Sequence, residues 1–379
     1  MTRVLFLTCH LAGSGHLVRT LALARAVVAR GAAALVISGG RPLAHLGAGG
    51  VDLVQIPPLG VRGLDFSTLL RPDGTPAGDA YMAARGAAIA AAIGAFRPDA
   101  LVTETYPLGR RRLGPEFEAA IGVARAAAPR LAVIASVRDV PEPPSAPDRL
   151  AAAAAARLRA LYDLVVVHGD DAFLPLSASW PLPADCVAMT RHAGYVADPA
   201  PPSPGPRGSE VLVAAGGGAR GGAMLDLAAR AARLAARPWR VLVGGADAAA
   251  EAAALAARHP VPNLAVEPAR PDYRVLLARA AVSVSLAGYN TVTDLTPLAT
   301  PAILIPDETA GEREQAIRAA ALAHLPGIAV LAADTAPEAL AALAEAMAGR
   351  PRPPLPLTLD GAGRAARLIL DTARRKAAA

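Results

Sequence analysis

The sequence predicts an α/β protein built from two doubly wound, parallel-sheet (Rossmann-like) domains facing a cleft. Three observations lead there. Short apolar runs alternate with alanine-rich stretches of helical period along the whole chain, the pattern of repeated βα units around parallel sheets. At 379 residues the chain exceeds what one hydrophobic core usually organises. Finally, DPAPPSPGPRGS at 198–209 divides the alternation into two sets, and a stretch so rich in proline holds neither a helix nor an inner strand.

In the first set the apolar runs place strands at 3–9, 33–38, 99–103, 131–136 and 163–168. The second set gives strands at 210–215, 239–243, 264–266, 281–285, 302–305 and 328–331. The expected domains are therefore 1–198 and 210–360, joined by a linker at 199–209. From Gly361 to 379 the chain starts on glycine and keeps an amphipathic helical period, so it reads as a terminal helix packed on one of the domains.

Composition excludes several functions. The balance of 38 basic against 32 acidic residues leaves +6, spread along the chain. Nucleic-acid binding leaves a clustered basic stripe with interleaved aromatics, and aromatics are 3% here, so no nucleic-acid partner is expected. The one dense basic run, Arg110, Arg111 and Arg112, reads as a solvated loop or as an anion or membrane-surface contact, which leaves a peripheral membrane contact open. Cys9 and Cys186 lie far apart with no CxxC, so neither a disulfide framework nor a zinc site is expected. The opening VLFLTC follows no charged leader region, and no run of 18 apolar residues occurs; the expectation is a cytoplasmic protein.

Chemistry in open parallel sheets sits just after the strands, and four such loops stand out. The first, Gly13-Ser14-Gly15-His16, resembles half of a dinucleotide fingerprint but has Val18 in place of the third glycine, and the next strand ends ISGG without an acid for a ribose hydroxyl. His16 stands at a helix start, where the dipole keeps an imidazole neutral, and a neutral imidazole can take a proton from a hydroxyl. It could also merely cap its own loop, and His10 competes for the role. The second loop, residues 214–222, carries Gly216, Gly217, Gly218, Arg220, Gly221 and Gly222 before a helix, an arrangement suited to a diphosphate. In the third, Gly288 gives clearance, Tyr289, Asn290 and Thr291 open a helix, and Asp294 falls on the face of Asn290, where a carboxylate could accept from both ribose hydroxyls. In the fourth, Glu314 and Gln315 offer acceptors and donors for a sugar's vicinal hydroxyls, or are ordinary helix-surface residues.

Together these segments resemble glycosyltransferases of the GT-B fold, in particular the MurG-like family around the lipid II N-acetylglucosaminyltransferase. The resemblance rests on GSGHLVRTLALARAV at 13–27, TETYPLGRRRLGPEFEAA at 103–120, ASVRDV at 135–140, YDLVVVHGD at 162–170, GYVA at 194–197, GGGARGG at 216–222, AGYNTVTDLTPLATPAILIP at 287–306 and EREQAIRA at 312–319. It implies a sugar donor carried on a nucleotide diphosphate, UDP first, and an acceptor nucleophile whose identity the sequence leaves unknown. It assigns the diphosphate to Gly217, Gly218 and the stretch Gly288 to Thr291; apart from the resemblance, the charge of Arg220 could assist in stabilising the leaving diphosphate. The ribose falls to Asp294 and the transferred sugar to Glu314 and Gln315. The acceptor side falls to the first domain, with Gly15 and His16 on its loop, His16 as general base, and Glu104, Tyr106, Arg110, Arg138 and Asp139 around it. The donor loop departs from the MurG-like pattern, and Glu314-Gln315 stands where the family has paired glutamines.

No Asp-x-Asp occurs, so the usual carboxylate pair for a metal on a nucleotide diphosphate is missing. The expected reaction is therefore an inverting, metal-independent transfer without a cofactor, in which amides and helix dipoles stabilise the leaving group. Two further readings stay open at this point: a nucleotide-sugar hydrolase or 2-epimerase on the same scaffold, and a non-catalytic nucleotide-sugar sensor.

Overall fold

A computed structural model describes residues 1–11, 13–43, 49–63, 65–199, 205–216, 221–245 and 247–379. It divides into two compact units, Met1–Val196 with Thr358–Ala379, and Ala197–Leu357. The division assigns the segment after Val196 to the second unit and the terminal helix to the first.

The first unit holds one sheet of eight strands: β1 (Arg3–Thr8), β2 (Ala33–Gly40), β3 (Asp52–Arg62), β4 (Asp65–Leu70), β5 (Ala100–Glu104), β6 (Ala132–Arg138), β7 (Leu164–His168) and β8 (Thr190–His192). Their order is β4-β3-β2-β1-β5-β6-β7-β8, parallel throughout except for the antiparallel pair β3 and β4. Five of these strands are the expected ones. Three are additional, and each lacks the apolar run that marks a buried strand. β3 carries Pro57 and Pro58 and is exposed along much of its length, β4 is an exposed hairpin partner, and β8 spans three residues.

Alternation along the central strands builds two cores. Leu5 and Leu7 of β1 face a layer that includes Ile89, Ile93, Phe117 and Leu158 from the helices Asp79–Phe96, Gly114–Ala127 and Pro147–Leu161. Val4 and Phe6 face the other layer, formed by Leu17, Leu21 and Val27 of helix Gly15–Val28 and by Ala365, Ile369, Leu370 and Ala373 of helix Gly361–Ala378. Burying Ile369 and Leu370 alone contributes about 1.5–3 kcal/mol each.

The second unit holds six parallel strands: β9 (Val211–Ala214), β10 (Trp239–Val243), β11 (Leu264–Pro268), β12 (Val282–Ser285), β13 (Ala302–Leu304) and β14 (Ile328–Val330). Their order is β11-β10-β9-β12-β13-β14, and all six match expected strands. Its core gathers Val211, Val213, Val241, Val284 and Ile303 under Leu227 and Leu340. Among the described residues, no helix is long and apolar enough to cross a membrane.

The start of the terminal helix is fixed by close backbone approach. Gly361 N–H donates to the Tyr195 carbonyl at 2.9 Å, and a Cβ on Gly361 would lie 2.3 Å from Gly194 O and 2.5 Å from the Tyr195 backbone. Gly361→Ala should therefore destabilise the first unit by about 1–3 kcal/mol. Calorimetry should show its transition moving down while that of the second unit stays in place.

Candidate active site

Each sheet has one topological switch point. In the first unit the chain leaves β1 toward β2 on one side and later takes up β5 on the other; in the second the same relation holds between β10 and β12 around β9. Loops leaving such neighbouring strands run in opposite directions, and the crevice between them at the carboxyl edge is where open α/β sheets bind ligands.

In the first unit the two loops carry His16 and Glu104. Beyond β1 the chain passes Cys9 and His10, both buried, and enters helix Gly15–Val28 with His16 as its second residue. β5 ends on Glu104, whose carboxylate is 3% exposed. Its Oε2 accepts from His16 Nδ1 at 2.8 Å and from the Thr105 hydroxyl at 2.7 Å. Its Oε1 pairs with Arg19, almost one turn beyond His16 on the same helix. An ionised carboxylate only accepts, so the His16 ring carries its proton on Nδ1 and keeps the Nε2 lone pair. The side chain remains 14% exposed, which leaves that nitrogen's end of the ring reachable.

Electrostatics keep the pair in this state. Burial pushes the His16 imidazole down to about 3, against the pull of Glu104, so the ring is neutral at pH 7. Burial by itself would raise the Glu104 carboxyl, but His16 and Arg19 overcome it and hold that group well below the usual carboxylate range. His10 feels the same charges but is engaged differently. It is buried, its Nε2–H donates to the Arg41 carbonyl at 2.9 Å, and burial lowers its pKa.

The loop after β5 is tightly built. Thr105 and Arg110 adopt left-handed backbone at φ 68° and 55°, an uncommon and strained conformation for residues other than glycine. Gly109 N–H donates to Thr105 O at 2.9 Å, and a Cβ at Gly109 would lie 2.4 Å from Thr105 Cγ2. Behind it, Thr105 N–H donates to Ser136 O at 2.8 Å, and the Ser136 hydroxyl meets His168 Nε2 at 2.7 Å. His168 is fully buried, and burial lowers its pKa to about 3.

In the second unit the switch-point loops follow β9 and β12. Gly217, Gly218 and Arg220 lie outside the described residues. Their neighbours Gly216 and Gly221 both have positive φ, at 87° and 86°. A Cβ on Gly221 would stand 2.6 Å from Ala215 Cβ and 3.3 Å from Leu286 Cδ1, so only glycine lets helix Gly222–Ala232 begin directly against the loop after β12. In that loop a Cβ on Gly288 would meet nothing closer than Thr291 Oγ1 at 3.7 Å. The protein itself does not require glycine there, which leaves the space for a ligand.

The remaining expected donor-side residues separate into two groups. Gln315 Oε1 accepts from Ala287 N–H and Asp307 N–H, both at 3.1 Å, and so ties the loops after β12 and β13 together. Glu314 is buried beside it, with Oε1 3.9 Å from Arg318, which donates to Ala287 O at 2.7 Å. Tyr289 is buried, so this position offers the loop its backbone, whereas Asn290 is exposed and Thr291 half-buried. Asp294, one turn past Asn290, is engaged elsewhere: it pairs with Arg274 at 2.8 Å, and Arg274 also donates to the Pro199 carbonyl at 2.7 Å. Burial raises the Asp294 carboxyl to about 6, against the pull of Arg274.

Known proteins share this fold, and one domain family matches part of the second unit. Residues 243–354 match the glycosyltransferase family 28 C-terminal domain. The chain has the GT-B fold. Its fold is shared with Acinetobacter baumannii MurG at 17% identity and TM-score 0.58, covering 99% of this chain and 94% of that one. The calicheamicin glycosyltransferase CalG4 superimposes at 16% identity and TM-score 0.59, over 100% and 97% of the two chains. Phytolacca americana UGT2, in a complex with UDP-2-fluoroglucose and pterostilbene, does so at 14% identity and TM-score 0.61, over 99% and 95%. No curated protein sequence matches the chain. The MurG-like GT-B resemblance is borne out.

Arg19, Thr105, Ser136, His168 and Arg274 are the neighbours that reading the sequence did not single out, and Glu104 acquires a more definite place than it had there. Arg19 could have been found from position alone, three residues beyond His16 on the same helix.

If Asp294 binds the ribose, affinity for UDP-N-acetylglucosamine, whose phosphates do not titrate in this range, should fall roughly tenfold between pH 7.5 and pH 5, because protonation near pH 6 removes an acceptor. Titration calorimetry across that range checks it, and Asp294→Asn should flatten the profile.

Proposed function

We propose that this glycosyltransferase moves a sugar from a nucleoside diphosphate sugar, UDP first, to an acceptor hydroxyl, with inversion and without a metal. The observation that carries the reading is the His16–Glu104 pair: a neutral imidazole whose Nδ1–H is held by a buried carboxylate and whose Nε2 is free to take a proton. His16 Nε2 accepts the proton from the acceptor hydroxyl as its oxygen bonds to the sugar's anomeric carbon. The bond from that carbon to the diphosphate breaks, and the nucleoside diphosphate leaves with the electron pair. Attack opposite the leaving group inverts the centre. Glu104 stays ionised and stabilises the imidazolium as it forms, and Arg19 and Thr105 hold Glu104 in place.

The donor belongs to the second unit. Support comes from the family 28 match, from the open space over Gly288 and from the two helix beginnings brought together by Gly221. UGT2 was solved with UDP-2-fluoroglucose and VinC with dTDP, and both share this fold. Free N–H groups at such helix starts favour a diphosphate. The absence of Asp-x-Asp from the sequence is what favours a metal-independent departure. Glu314 and Gln315 supply polar groups beside the same loop and take the transferred sugar, while Asp294 takes the ribose once Arg274 yields it.

The test is an acceptor screen with UDP-sugars, followed by the anomeric configuration of the product by NMR. Transfer should persist in EDTA, and His16→Ala and Glu104→Gln should each lower kcat by about 100- to 10,000-fold while leaving donor binding intact. Hydrolysis of the donor at full rate without any acceptor would instead identify a hydrolase, and donor binding with no turnover would identify a sensor.

Because burial holds His16 unprotonated well below the ordinary histidine range, kcat at saturating donor should stay flat from pH 8 to about pH 5. A pH–rate series that fell with a midpoint near 6.5 would contradict this environment.

A further inference from the structure

The basic run at 110–112 splits in the structure. Arg111 and Arg112 are exposed at the surface, whereas Arg110 is partly buried and follows Gly109, which packs on Thr105 beside Glu104 in the switch-point crevice of the first unit. There its charge acts on Cys9, His10, His16 and Glu104, on the loops after β1 and β5.

Charges in this crevice do not balance around Arg110. Glu104 is already satisfied by Arg19, His16 and Thr105, the histidines are neutral, and Cys9 is a buried thiol pushed up to about 11 mainly by burial. Arg138 and Arg19 add like charge nearby. Among the described residues no acceptor pairs with the Arg110 guanidinium. Its Nε is sealed from water without a hydrogen bond, its face lies 5.9 Å from the Phe66 ring centroid, and its two Nη nitrogens are not sealed. A partly desolvated cation without a counter-charge is unfavourable, and the left-handed backbone at Arg110 adds strain. Both costs make sense if the open edge of the guanidinium awaits an anion, which it can hold with two parallel hydrogen bonds.

Building on the transferase reading, we propose that Arg110 is the specificity residue of the acceptor site, and that the acceptor is a hydroxyl compound bearing an oxyanion, a carboxylate or a phosphate, that docks on this guanidinium and presents its hydroxyl to His16. Arg110 orients and selects the acceptor. His16 takes the proton.

The test begins with binding, which needs no turnover. Full-length protein is titrated with benzoate and with inorganic phosphate, the two arms distinguishing carboxylate from phosphate. At least one should bind saturably to the wild type, at least about tenfold more weakly to Arg110→Gln, and unchanged to the surface control Arg112→Gln. Arg110→Lys, which keeps charge but not the fork, should be intermediate. The melting temperature of Arg110→Gln should stay level or rise, since an unpaired charge is removed. Failure of both anions to bind, undiminished binding to Arg110→Gln, or a steep loss of its stability would each overturn the proposal. A second arm compares 4-hydroxybenzoate with its methyl ester, or glycerol 3-phosphate with glycerol, as acceptors. Arg110→Gln should raise KM for the anionic member about tenfold or more and leave the neutral one unaffected; equal effects on both overturn the assignment. Anion binding that depends on Arg110 with no transfer to any acceptor would uphold the anion site and defeat the transferase reading.

Discussion

A carboxylate withdrawn from water at the end of a strand must be compensated by its immediate neighbours, and most of the first unit's crevice is organised around how Glu104 meets that demand. Three donors converge on its two oxygens: the imidazole of His16, the hydroxyl of Thr105 and the guanidinium of Arg19. Each donor is thereby fixed. The His16 tautomer is set, Arg19 is held against the same helix, and Thr105 is kept in a backbone conformation that few residues adopt. The environment that makes a charge expensive also makes its interactions strong and its geometry unambiguous.

The two units reach the same kind of site by the same topology with different chemistry. In the first, side chains meet across β1 and β5. In the second, backbone does most of the work: Gly221 brings one helix beginning against the loop of another, and Gln315 ties the backbone of two further loops with a single oxygen. Under the proposed function the first crevice supplies a base, which needs a specific nitrogen in a specific protonation state, and the second a diphosphate cradle, which needs N–H groups and room. The division of labour between side chain and main chain follows from that difference.

Much of this was legible in the sequence. Apolar runs located eleven strands, most of them buried on both faces and so uninterrupted by polar residues, and the loops after them carried the residues at issue. β3 escaped because prolines and exposed residues interrupt it, and β8 because three residues carry no period. His16 was readable from its place at a helix start. Its pairing with Glu104, 88 residues away, was not, because nothing local encodes which strand ends stand next to each other. The same limit applied to Asp294, whose spacing suggested a free carboxylate while its partner Arg274 sits on the preceding helix. Arg110 was hidden within a run of three arginines, two of which are solvated.

The first unit is discontinuous in the chain. Its sheet is complete by His192, yet the helix that covers the Val4 and Phe6 face, Gly361–Ala378, is translated only after the entire second unit. During synthesis that apolar face must wait, uncovered, while about 160 residues emerge from the ribosome. The interval is a window in which the nascent chain offers chaperones an apolar surface that the folded protein no longer has, and in which the order of domain completion is the reverse of the order in which the domains begin.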